Sequence, residues 1–556
     1  MPMSSAVQTQ FVRFPVILIK PSHYDDDGYV IRWKRSVVPS NTLATLYGLM
    51  TDCIERRVLG DHVEIECHAL DESNSRIDVP KIIQQIRSAG GGLVGLVGVQ
   101  SNQFPRAMDL AREFRAAGIS VSIGGFHVSG CLAMLPGVQP DLQEAIDLGV
   151  SLYAGEAEGR LDDLLRDAAN GAMKPIYNFL NDLPGLEEQP VPFLPRDVVV
   201  RGMGVQTSFD AGRGCPFQCS FCTIINVQGR KSRRRNADDI ERIIRSNLSQ
   251  DVHNFFITDD NFARNRDWES ILDRLIQIRE QEKIKINITI QVDTVCHKIP
   301  GFISKASRAG VNKVFIGLES INPDALKSAG KRQNQFSEYR AMMQAWHDQG
   351  VIIFAGYIIG FPGDTPETVA RDVEIIQREL PVDILEFFVL TPLPGSQDHK
   401  ELFDAGIAMD ADMNNYDTFH VTTAHPLMSP EQWREAYRVA WSRYYTPEHI
   451  KTLLRRARAC GIKTRKLSNM VLWFHGGLSI EALHPLDGGY FRMKSRHERR
   501  PSLPVESAIR FYARYGWEIV SKHARYLVLF AQLRWFVWKL NRDPDAVNYR
   551  DASSAV

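Results

Sequence analysis

Three cysteines within eight residues constrain this chain more than any other feature of its sequence. Cys215, Cys219 and Cys222 stand in the segment Cys-Pro-Phe-Gln-Cys-Ser-Phe-Cys. Thiolates are the usual ligands of iron–sulfur clusters, which normally take four cysteines. Three ligands on a cubane leave one iron without a protein ligand, and a substrate can chelate that iron. Gly212 and Gly214 allow the backbone to wrap tightly around such a group.

A zinc site or three unrelated thiols are the alternative interpretations of these cysteines. The spacing Cys-x3-Cys-x2-Cys is not usual for zinc, and no nearby histidine in the sequence completes a ligand set. We expect the remaining cysteines to be isolated buried thiols: Cys53, Cys67, Cys131, Cys296 and Cys460. The sequence therefore favours a 4Fe-4S cluster held by Cys215, Cys219 and Cys222.

The chain divides into regions by its alternation of apolar runs and helix-like segments. In residues 1–179, five apolar runs are followed by helical patterns, which predicts an N-terminal doubly wound parallel sheet of Rossmann-like type. The runs are Val16–Lys20, Val63–Cys67, Leu93–Val99, Ser120–Gly124 and Ser151–Ala154. Ligands of such sheets bind beyond the carboxyl ends of the strands. Closely spaced prolines predict a linker over residues 180–200.

Residues 201–397 again alternate strand and helix patterns, in six units. They predict a central partial (β/α)6 barrel of TIM type, with its chemistry at the carboxyl ends of the strands. Residues 398–556 lack this alternation and are predicted to be mainly helical. The fold class is therefore α/β.

Charge and hydropathy exclude some classes of partner and location. Lys plus Arg total 66, as do Asp plus Glu, so no nucleic acid partner is expected. No apolar run is long enough to span a membrane, and Met1–Phe14 lacks the pattern of a secretory signal. We expect a cytoplasmic protein.

Further motifs follow the later barrel strands. They are Thr258-Asp-Asp-Asn-Phe262, Gln291-Val-Asp293, Gly317-Leu-Glu-Ser320, Gly356-Tyr-Ile-Ile-Gly-Phe-Pro-Gly363 and Pro392-Leu-Pro-Gly395. The carboxylates of Asp259 and Asp260 can accept hydrogen bonds from an ammonium group, or they form an Asx turn that caps the next helix. Glu319 can contact a ligand, or form a salt bridge at the barrel rim.

In this order, the cysteine loop and the later motifs resemble the radical S-adenosylmethionine (SAM) superfamily over residues 207–397. The resemblance implies a 4Fe-4S cluster whose open iron binds the amino and carboxylate groups of SAM, and whose electron generates a 5′-deoxyadenosyl radical. It implies SAM contacts at Phe221, Asp259, Asp260, Gln291, Asp293, Glu319 and Gly360. It also implies an electron donor such as flavodoxin or ferredoxin.

Two glycine-rich turns follow strands of the N-terminal region, Gly124-Gly-Phe-His127 and Gly155-Glu-Ala-Glu158. They resemble the cobalamin-binding domain fused to many radical SAM enzymes. The resemblance implies cobalamin contacts at Gly124, Gly125, His127, Gly155 and Glu156. His127 can instead be a packed histidine at the rim. The fingerprint Asp-x-His-x-x-Gly is absent and His23 matches it poorly, so no histidine is assigned as a lower cobalt ligand.

Three other segments can each be interpreted in two ways. The loop Tyr24–Arg35, long for a connection after a strand, either covers a ligand or is a surface insertion. The basic run Gly229–Arg235 binds an anionic substrate or redox partner, or is a solvated surface. Residues Phe511–Leu540, rich in aromatic and basic residues, form a helix that contacts a membrane peripherally or packs on the barrel with snorkelling basic side chains.

The resemblances give three hypotheses for function. The first is a cobalamin-dependent methyltransferase that acts on an unactivated carbon of a small-molecule or lipid-like substrate. The second is a cobalamin-independent radical SAM cyclase or rearrangement enzyme, which would use the same motifs. The third is a non-catalytic cobalamin-binding module, which would not need the three-cysteine loop.

Overall fold

The computed structural model of the chain describes residues 12–331 and 333–554, with only the backbone of Ser554. The strands in chain order are β1 (Val12–Lys20), β2 (Trp33–Ser36), β3 (Val63–Asp71), β4 (Leu93–Leu96), β5 (Ser120–Gly124), β6 (Ser151–Ala154), β7 (Ile176–Asn178), β8 (Gln206–Phe209), β9 (Gly212–Arg213), β10 (Arg233–Arg234), β11 (Asn254–Ile257), β12 (Asn287–Val292), β13 (Val311–Glu319), β14 (Ile352–Ile359), β15 (Ile384–Val389) and β16 (Gly489–Arg492).

The N-terminal region is a parallel sheet in the order β3-β1-β4-β5-β6-β7. Its helices are Asn41–Glu55, Val79–Ser88, Phe104–Ala116, Phe126–Met134, Pro140–Asp147 and Leu161–Ala169. The order reverses between β1 and β4, which is the switch point where a doubly wound sheet binds its ligand. The prediction of this sheet is confirmed, although the edge strand β7 was not predicted.

Local sequence explains these elements. Every residue of β4 is buried, as expected for a central parallel strand covered by helices on both faces. The helix Asn41–Glu55 begins where the Ser40 side chain accepts from the amide of Leu43, a normal N-cap. The helix Val79–Ser88 is capped in the same way by Asp78, with Pro80 in its first turn.

The central region is an open parallel sheet in the order β15-β14-β13-β12-β11-β8, so neighbouring strands follow one another in the chain. Its helices are Ala237–Leu248, Trp268–Ile276, Phe302–Ala309, Pro323–Ser328, Phe336–His347 and Pro366–Glu379, with short turns at Arg196–Val199 and Ile224–Val227. The predicted partial (β/α)6 barrel is confirmed. All the carboxyl ends of its strands therefore lie at one rim.

The C-terminal region is mainly helical, as predicted. Its helices are Gln397–Asp404, Pro430–Tyr444, Pro447–Ala459, Thr464–Gly476 and Ala508–Arg542. One strand, β16, pairs antiparallel with β2 in the loop that follows β1. Tyr29 and Trp33 of that loop are buried, so the loop is an integral part of the fold and not a surface insertion. Within the described chain, no helix is long and apolar enough to cross a membrane.

Candidate functional site

The cysteine loop is held between two short strands at the rim of the barrel. It leaves β8, and β9 and β10 pair antiparallel on either side of it. Gly214 has a φ of 90°, and a side chain there would lie 2.6 Å from the carbonyl oxygen of Lys231. The amide of Cys215 donates to Gly229 at 3.3 Å. Glycine at position 214 is therefore needed for the turn that begins the loop.

The three predicted ligands lie together on this loop. Cys219 is buried and Cys215 and Cys222 are partly buried. Burial raises the pKa of the Cys215 thiol to about 11 and that of Cys222 to about 12, so the metal-free thiols are protonated at neutral pH. Metal binding would displace the proton of each thiol and release it to solvent, which leaves a thiolate ligand.

The spacing of the cysteines fits a cluster. Three thiols lie within eight residues of one loop. In a cubane each cysteine binds a separate iron. Among the described residues, no group of three His, Cys, Asp or Glu side chains is arranged to hold one metal ion.

An apolar patch lies beside the loop. The ring of Phe221 meets that of Phe361 edge-on at 6.3 Å, and Ile358 and Ala329 complete the buried cluster around them. Lys331 lies with its ammonium 5.9 Å from the Phe221 ring centre. Phe221, predicted to contact SAM, thus forms part of an apolar surface next to the last cysteine.

The two aspartates after β11 have different partners. Asp259 accepts from the amides of Ala211 at 2.6 Å and Gly212 at 2.8 Å, and from Asn265 at 3.3 Å. Its carboxylate therefore fixes the backbone at the start of the cysteine loop. Asp260 is different, since its Oδ2 is shielded from solvent and lacks a hydrogen-bond partner among the described residues. Burial raises the pKa of Asp260 to about 7.

Gln291 and Asp293 end β12. The amide of Gln291 donates to the carbonyl oxygen of Asp259 at 3.4 Å. Asp293 is buried and accepts from Arg264, with one contact at 3.0 Å, and from Asn261 at 2.9 Å. The guanidinium of Arg264 lies 5.9 Å from the ring centre of Phe217 in the cysteine loop. Asp293 therefore holds Arg264 in place, and Arg264 contacts the cysteine loop.

Glu319, at the end of β13, pairs with Lys331. Its backbone has a φ of 64°, an uncommon conformation for a residue other than glycine. The register of β13 against β14 shifts at this point. Lys331 also donates to the carbonyl oxygen of Gly317 at 3.2 Å. The salt-bridge interpretation of Glu319 is therefore the one that the structure supports, and Lys331 is a neighbour of the cysteine loop that sequence reasoning missed.

Gly360 is glycine for a structural reason. A side chain at this position would lie 1.9 Å from the indole of Trp433. Its φ is 119°, and its amide donates to Asp364 at 2.8 Å. The predicted contact of Gly360 with SAM is not needed to explain the residue.

Glycines in the turns of the N-terminal sheet allow close backbone packing and also line a cavity. A side chain at Gly125 would lie 2.2 Å from the amide nitrogen of Val99, and one at Gly155 would lie 2.9 Å from the carbonyl carbon of Phe179. Gly124, Gly125 and Gly155 all line a cavity on the sheet. Close backbone packing requires glycine at 125 and 155, and it leaves the cavity edge bare.

His127 is held by neighbouring protein groups. It is buried, with Nδ1 3.1 Å from the Ser101 hydroxyl and Nε2 2.8 Å from Asp141. Its ring also packs on Phe104 at 4.4 Å. These contacts favour the packed-histidine interpretation, because both ring nitrogens have a protein partner, and the cofactor contact stays a prediction.

Glu156 and Glu158 bind arginines that flank the cysteine loop. Arg213 donates to Glu156 and Glu158, both at 2.7 Å. Arg233 donates to Glu156 at 2.8 Å, and Arg235 is fully buried near Asp210. The basic run is therefore internal in its second half and exposed at Arg230 and Lys231. Glu156 links two regions of the protein and also lines the first cavity, and its predicted contact with a cofactor stays a prediction.

A first cavity, of about 180 Å³, runs along one face of the N-terminal sheet. It lies between the helices Asn41–Glu55 and Leu161–Ala169, and its walls are largely apolar. The side chain of Thr45 faces the same space, with a buried hydroxyl that lacks a hydrogen-bond partner in the described chain. The cavity reaches Arg213 and Gln228, on either side of the cysteine loop.

A second cavity, of about 510 Å³, lies at the carboxyl ends of the N-terminal strands. Its lining includes the segment Gln100–Gln103 after β4, and also Thr223 and Ile224, which directly follow Cys222. Thr42 and Gly98 line both cavities, so the two are adjacent. The structure therefore brings the rim of the N-terminal sheet and the cysteine loop to one space.

Polar side chains form another part of the second cavity. His23, Asp417, His484 and Asp487 line it, and His23 Nε2 lies 3.9 Å from Asp487. Burial lowers the pKa of His484, and its Nδ1 accepts from the amide of Leu486 at 3.3 Å. The neutral ring therefore carries its proton on Nε2, which is buried and directed at the backbone of Phe387.

Asn102 lies in the wall after β4. It is buried and lines the second cavity, and its Oδ1 has no hydrogen-bond partner in the part of the chain that the structure describes.

The model of the radical SAM superfamily matches residues 211–376. This segment is a radical SAM domain. It contains all three cysteines of the loop and the motifs after β11 to β14, and its presence implies SAM and a 4Fe-4S cluster.

Curated relatives resemble the chain beyond the radical SAM domain. One is bacteriochlorophyllide d C-12(1)-methyltransferase of Chlorobaculum tepidum, 28% identical over 302 residues that make up 52% of this chain and 64% of the relative. Another is hopanoid C-2 methylase of Rhodopseudomonas palustris, 24% identical over 51% of this chain and 53% of the relative. The chain thus spans less than two thirds of either relative.

A solved structure shares the fold. The radical SAM methyltransferase TsrM from Kitasatospora setae, with cobalamin and a 4Fe-4S cluster bound, superposes with a TM-score of 0.59 and 16% identity. The match covers 79% of this chain and 90% of TsrM. The likeness therefore shows a shared fold over most of both chains.

Proposed function

We propose that this protein is a cobalamin-dependent radical SAM methyltransferase. One observation carries the proposal: the second cavity is lined both by the carboxyl ends of the N-terminal strands and by the residues after Cys222. Methyl transfer of this type requires both cofactors at one space. The relatives named as methyltransferases and the fold of TsrM support the same reaction.

The residues at the barrel rim fit SAM and the cluster. Cys215, Cys219 and Cys222 would hold three irons and leave the fourth open. The buried Oδ2 of Asp260, unpartnered among the described residues, is suited to an ammonium group, because a buried carboxylate without a partner is costly. Phe221 offers an apolar surface for the adenine. Asp259, Asp293 and the other predicted contacts would act by positioning the loop.

The N-terminal sheet fits cobalamin, a large ligand with a flat macrocycle and an extended nucleotide tail. The second cavity offers space at the switch point, and the adjacent first cavity extends along the sheet, where a tail can be buried. Gly98 and Gly124 leave its edge without side chains. Asn102 would face the ligand from the end of β4 with its unpartnered amide oxygen. No histidine is needed for this fit.

When bound, the cluster and SAM supply a carbon-centred radical on the substrate, and cobalamin supplies the methyl group. The protein's own contribution is to hold these groups at one space. Arg213 and its glutamates fix the cysteine loop against the N-terminal sheet. Leu393, Pro394 and Ile224 line the cavity with apolar groups that limit water near the reacting carbon.

The substrate that this cavity suits is an apolar small molecule or lipid with a polar group at one end. Its apolar walls would bind the hydrocarbon part, while Asp417, His484 and Asp487 would recognise the polar end. The relatives named for bacteriochlorophyllide and hopanoid substrates support this class. An electron donor such as flavodoxin or ferredoxin would dock near the exposed Arg230 and Lys231 beside the cysteine loop.

The experiment is anaerobic reconstitution with iron, sulfide and cobalamin, followed by turnover with SAM that carries a labelled methyl group. We expect a cluster signal, bound cobalamin and label in the product. Cys219→Ala should lose the cluster and all products, whereas Cys460→Ala, at an isolated cysteine, should retain both. A product without label, formed by a protein that does not retain cobalamin, would instead support the cyclase or rearrangement hypothesis.

A further inference from the structure

The C-terminal helix Ala508–Arg542 exposes an apolar stripe along its whole length. Its opposite face packs on the protein through Phe511, Leu533, Val537 and Leu540, all buried. On the outer face, large apolar side chains that are each more than half exposed include Ile509, Trp517, Val520, Leu527, Trp535 and Trp538. The helix is therefore docked on the protein by one face, as one of the two interpretations predicts, and its other face is apolar and exposed.

The helix is strongly basic although the chain as a whole is neutral. It contains seven Arg and Lys residues and one acidic residue, Glu518, whereas the full chain has 66 of each sign. Lys539 and Arg542 lie over the rings of Trp535 and Trp538, at 5.7 Å and 3.9 Å from the ring centres. Tryptophans flanked by basic side chains on one helix face are suited to the boundary between lipid headgroups and acyl chains.

The strand β16 widens the exposed apolar face. Tyr490 and Phe491, exposed by 57% and 38%, pack on His523 of the helix with ring centres 6.4 Å and 5.6 Å away. Phe491 has a φ of 61°, which is rare for a bulky residue. The strained backbone holds a large ring at the surface beside the helix, where burial within this protein does not stabilise it.

Charge decides which partner this face fits. Two copies packed through the stripe would bring their Arg and Lys residues together, and like charges at an interface disfavour association. Anionic lipid headgroups complement the same charges. A helix of 35 residues, about 52 Å long, also offers a long contact with a membrane surface. We propose that this face binds the surface of a bilayer containing anionic lipids.

The helix is also linked to the wall of the second cavity. Tyr29 packs on Phe511 with ring centres 5.4 Å apart, and Arg514 lies 3.4 Å from Asp27. The same loop lines the cavity through His23 and Ile31. Membrane binding would therefore place the cavity close to a lipid-dissolved substrate, a consequence that rests on the proposed function, whereas the binding itself does not.

The test is flotation of the full chain with vesicles of phosphatidylcholine alone or mixed with phosphatidylglycerol. We expect flotation with the mixed vesicles, weakened by salt. The variant Trp517→Glu/Trp535→Glu/Trp538→Glu should bind at least about ten-fold more weakly, because it lacks the three indole rings that would insert into the lipid. The charge variant Lys539→Glu/Arg542→Glu should also bind more weakly. Leu427→Glu, at a leucine of 56% exposure outside the helix, should bind like the parent.

Failure of the parent protein to float, or equal flotation of the tryptophan variant, would overturn the proposal. Light scattering without lipid tests the other occupant of this face. A parent dimer that the tryptophan substitutions convert to a monomer would assign the face to a second copy and would also overturn it. Flotation does not require turnover, so its outcome is independent of whether the methyltransferase proposal holds.

Discussion

The guanidinium of Arg213, two residues before the first cysteine, donates to the carboxylate of Glu156 at 2.7 Å. A second nitrogen donates to Glu158 at 2.7 Å, and Nε lies 3.2 Å from Asp210. All four side chains are buried. Buried ions are stable only when they remain paired, so the cysteine loop is tied to the rim of the N-terminal sheet.

Removing one carboxylate from this network should destabilise the protein. Glu158→Gln leaves the buried guanidinium undercompensated, and we expect a loss of about 3 kcal/mol, seen as a lower midpoint of thermal unfolding and a lower iron content after reconstitution. Glu144→Gln is the control, because its pair with Arg112 is exposed and should contribute less than about 1 kcal/mol. Equal midpoints for the two variants would show that the network does not stabilise the junction.

Substitutions of Asp259 and Asp260, the two aspartates after β11, should have different effects. Asp260→Asn removes the charge that we assign to the SAM ammonium, so SAM should bind about 10- to 100-fold more weakly while the iron content stays unchanged. Asp259→Asn loses the acceptor of the Ala211 and Gly212 amides, and it should lower the iron content instead. Equilibrium binding of SAM and iron analysis on both proteins give the answer. Unaltered SAM affinity in Asp260→Asn would contradict the assignment.

Filling the first cavity should block cobalamin without disturbing the cluster. Thr45 is buried and lines the cavity, so Thr45→Phe places a ring in the space that we assign to the cofactor tail. We expect at least about a ten-fold loss of retained cobalamin, measured by absorbance, because overpacking a closed site is unfavourable. Thr45→Val keeps the volume and should retain the cofactor, with equal iron in both variants. Full retention by Thr45→Phe would exclude this cavity as the tail site.

The pair of His347 and Asp383 should give the protein a pH-dependent stability in the alkaline range. Burial alone lowers the pKa of His347, but the Asp383 carboxylate 2.9 Å from Nε2 raises it to about 10. The unfolded chain has a histidine pKa of about 6.5. Between these values the folded protein binds the extra proton, so this contribution is complete below about pH 6.5 and is lost as the pH rises to about 10.

We therefore expect the thermal midpoint of the parent protein to fall more steeply from pH 7 to 10 than that of His347→Gln. The variant should be less stable at pH 7, because Asp383 then lacks its buried partner. His253→Gln, at an exposed histidine near Asp251, should keep the slope of the parent. Parallel profiles for the parent and His347→Gln would mean that His347 does not retain the proton.

The sequence predicted those features that depend on local pattern. Alternating apolar runs and helical patterns located the strands of both sheets, and the close spacing of Cys215, Cys219 and Cys222 located the cluster loop. These signals can be found because strand burial and ligand spacing depend on residues that are close together in the chain. The edge strand β7, only Ile176–Asn178, was too short to give such a signal.

The roles of single polar residues were less accessible, because they depend on partners far along the chain. Glu156 was predicted to contact a cofactor, and its pairing with Arg213, 57 residues away, could not be predicted. Gly360 was predicted to contact SAM, and the approach of Trp433 that requires a glycine there could not be predicted. A turn motif shows that something must come close to the backbone, and only the fold shows which group it is.

The last prediction concerns the electron donor. Arg230 and Lys231 are exposed and have no ion-pair partner recorded in the described residues. They lie on the segment that packs against the start of the cysteine loop, where the Lys231 carbonyl oxygen approaches Gly214. An acidic electron carrier would be attracted to these charges, which affect encounter and orientation more than chemistry.

Arg230→Glu/Lys231→Glu should therefore raise the KM for reduced flavodoxin about ten-fold at low salt, with a smaller effect at high salt. Turnover driven by a small chemical reductant should be unchanged, because that reductant needs no docking surface. Lys34→Glu/Arg35→Glu, an adjacent exposed basic pair on β2, is the matched control and should leave both activities unaltered. If charge reversal at 230 and 231 slowed both reductants equally, the two residues would support the loop itself and not the donor.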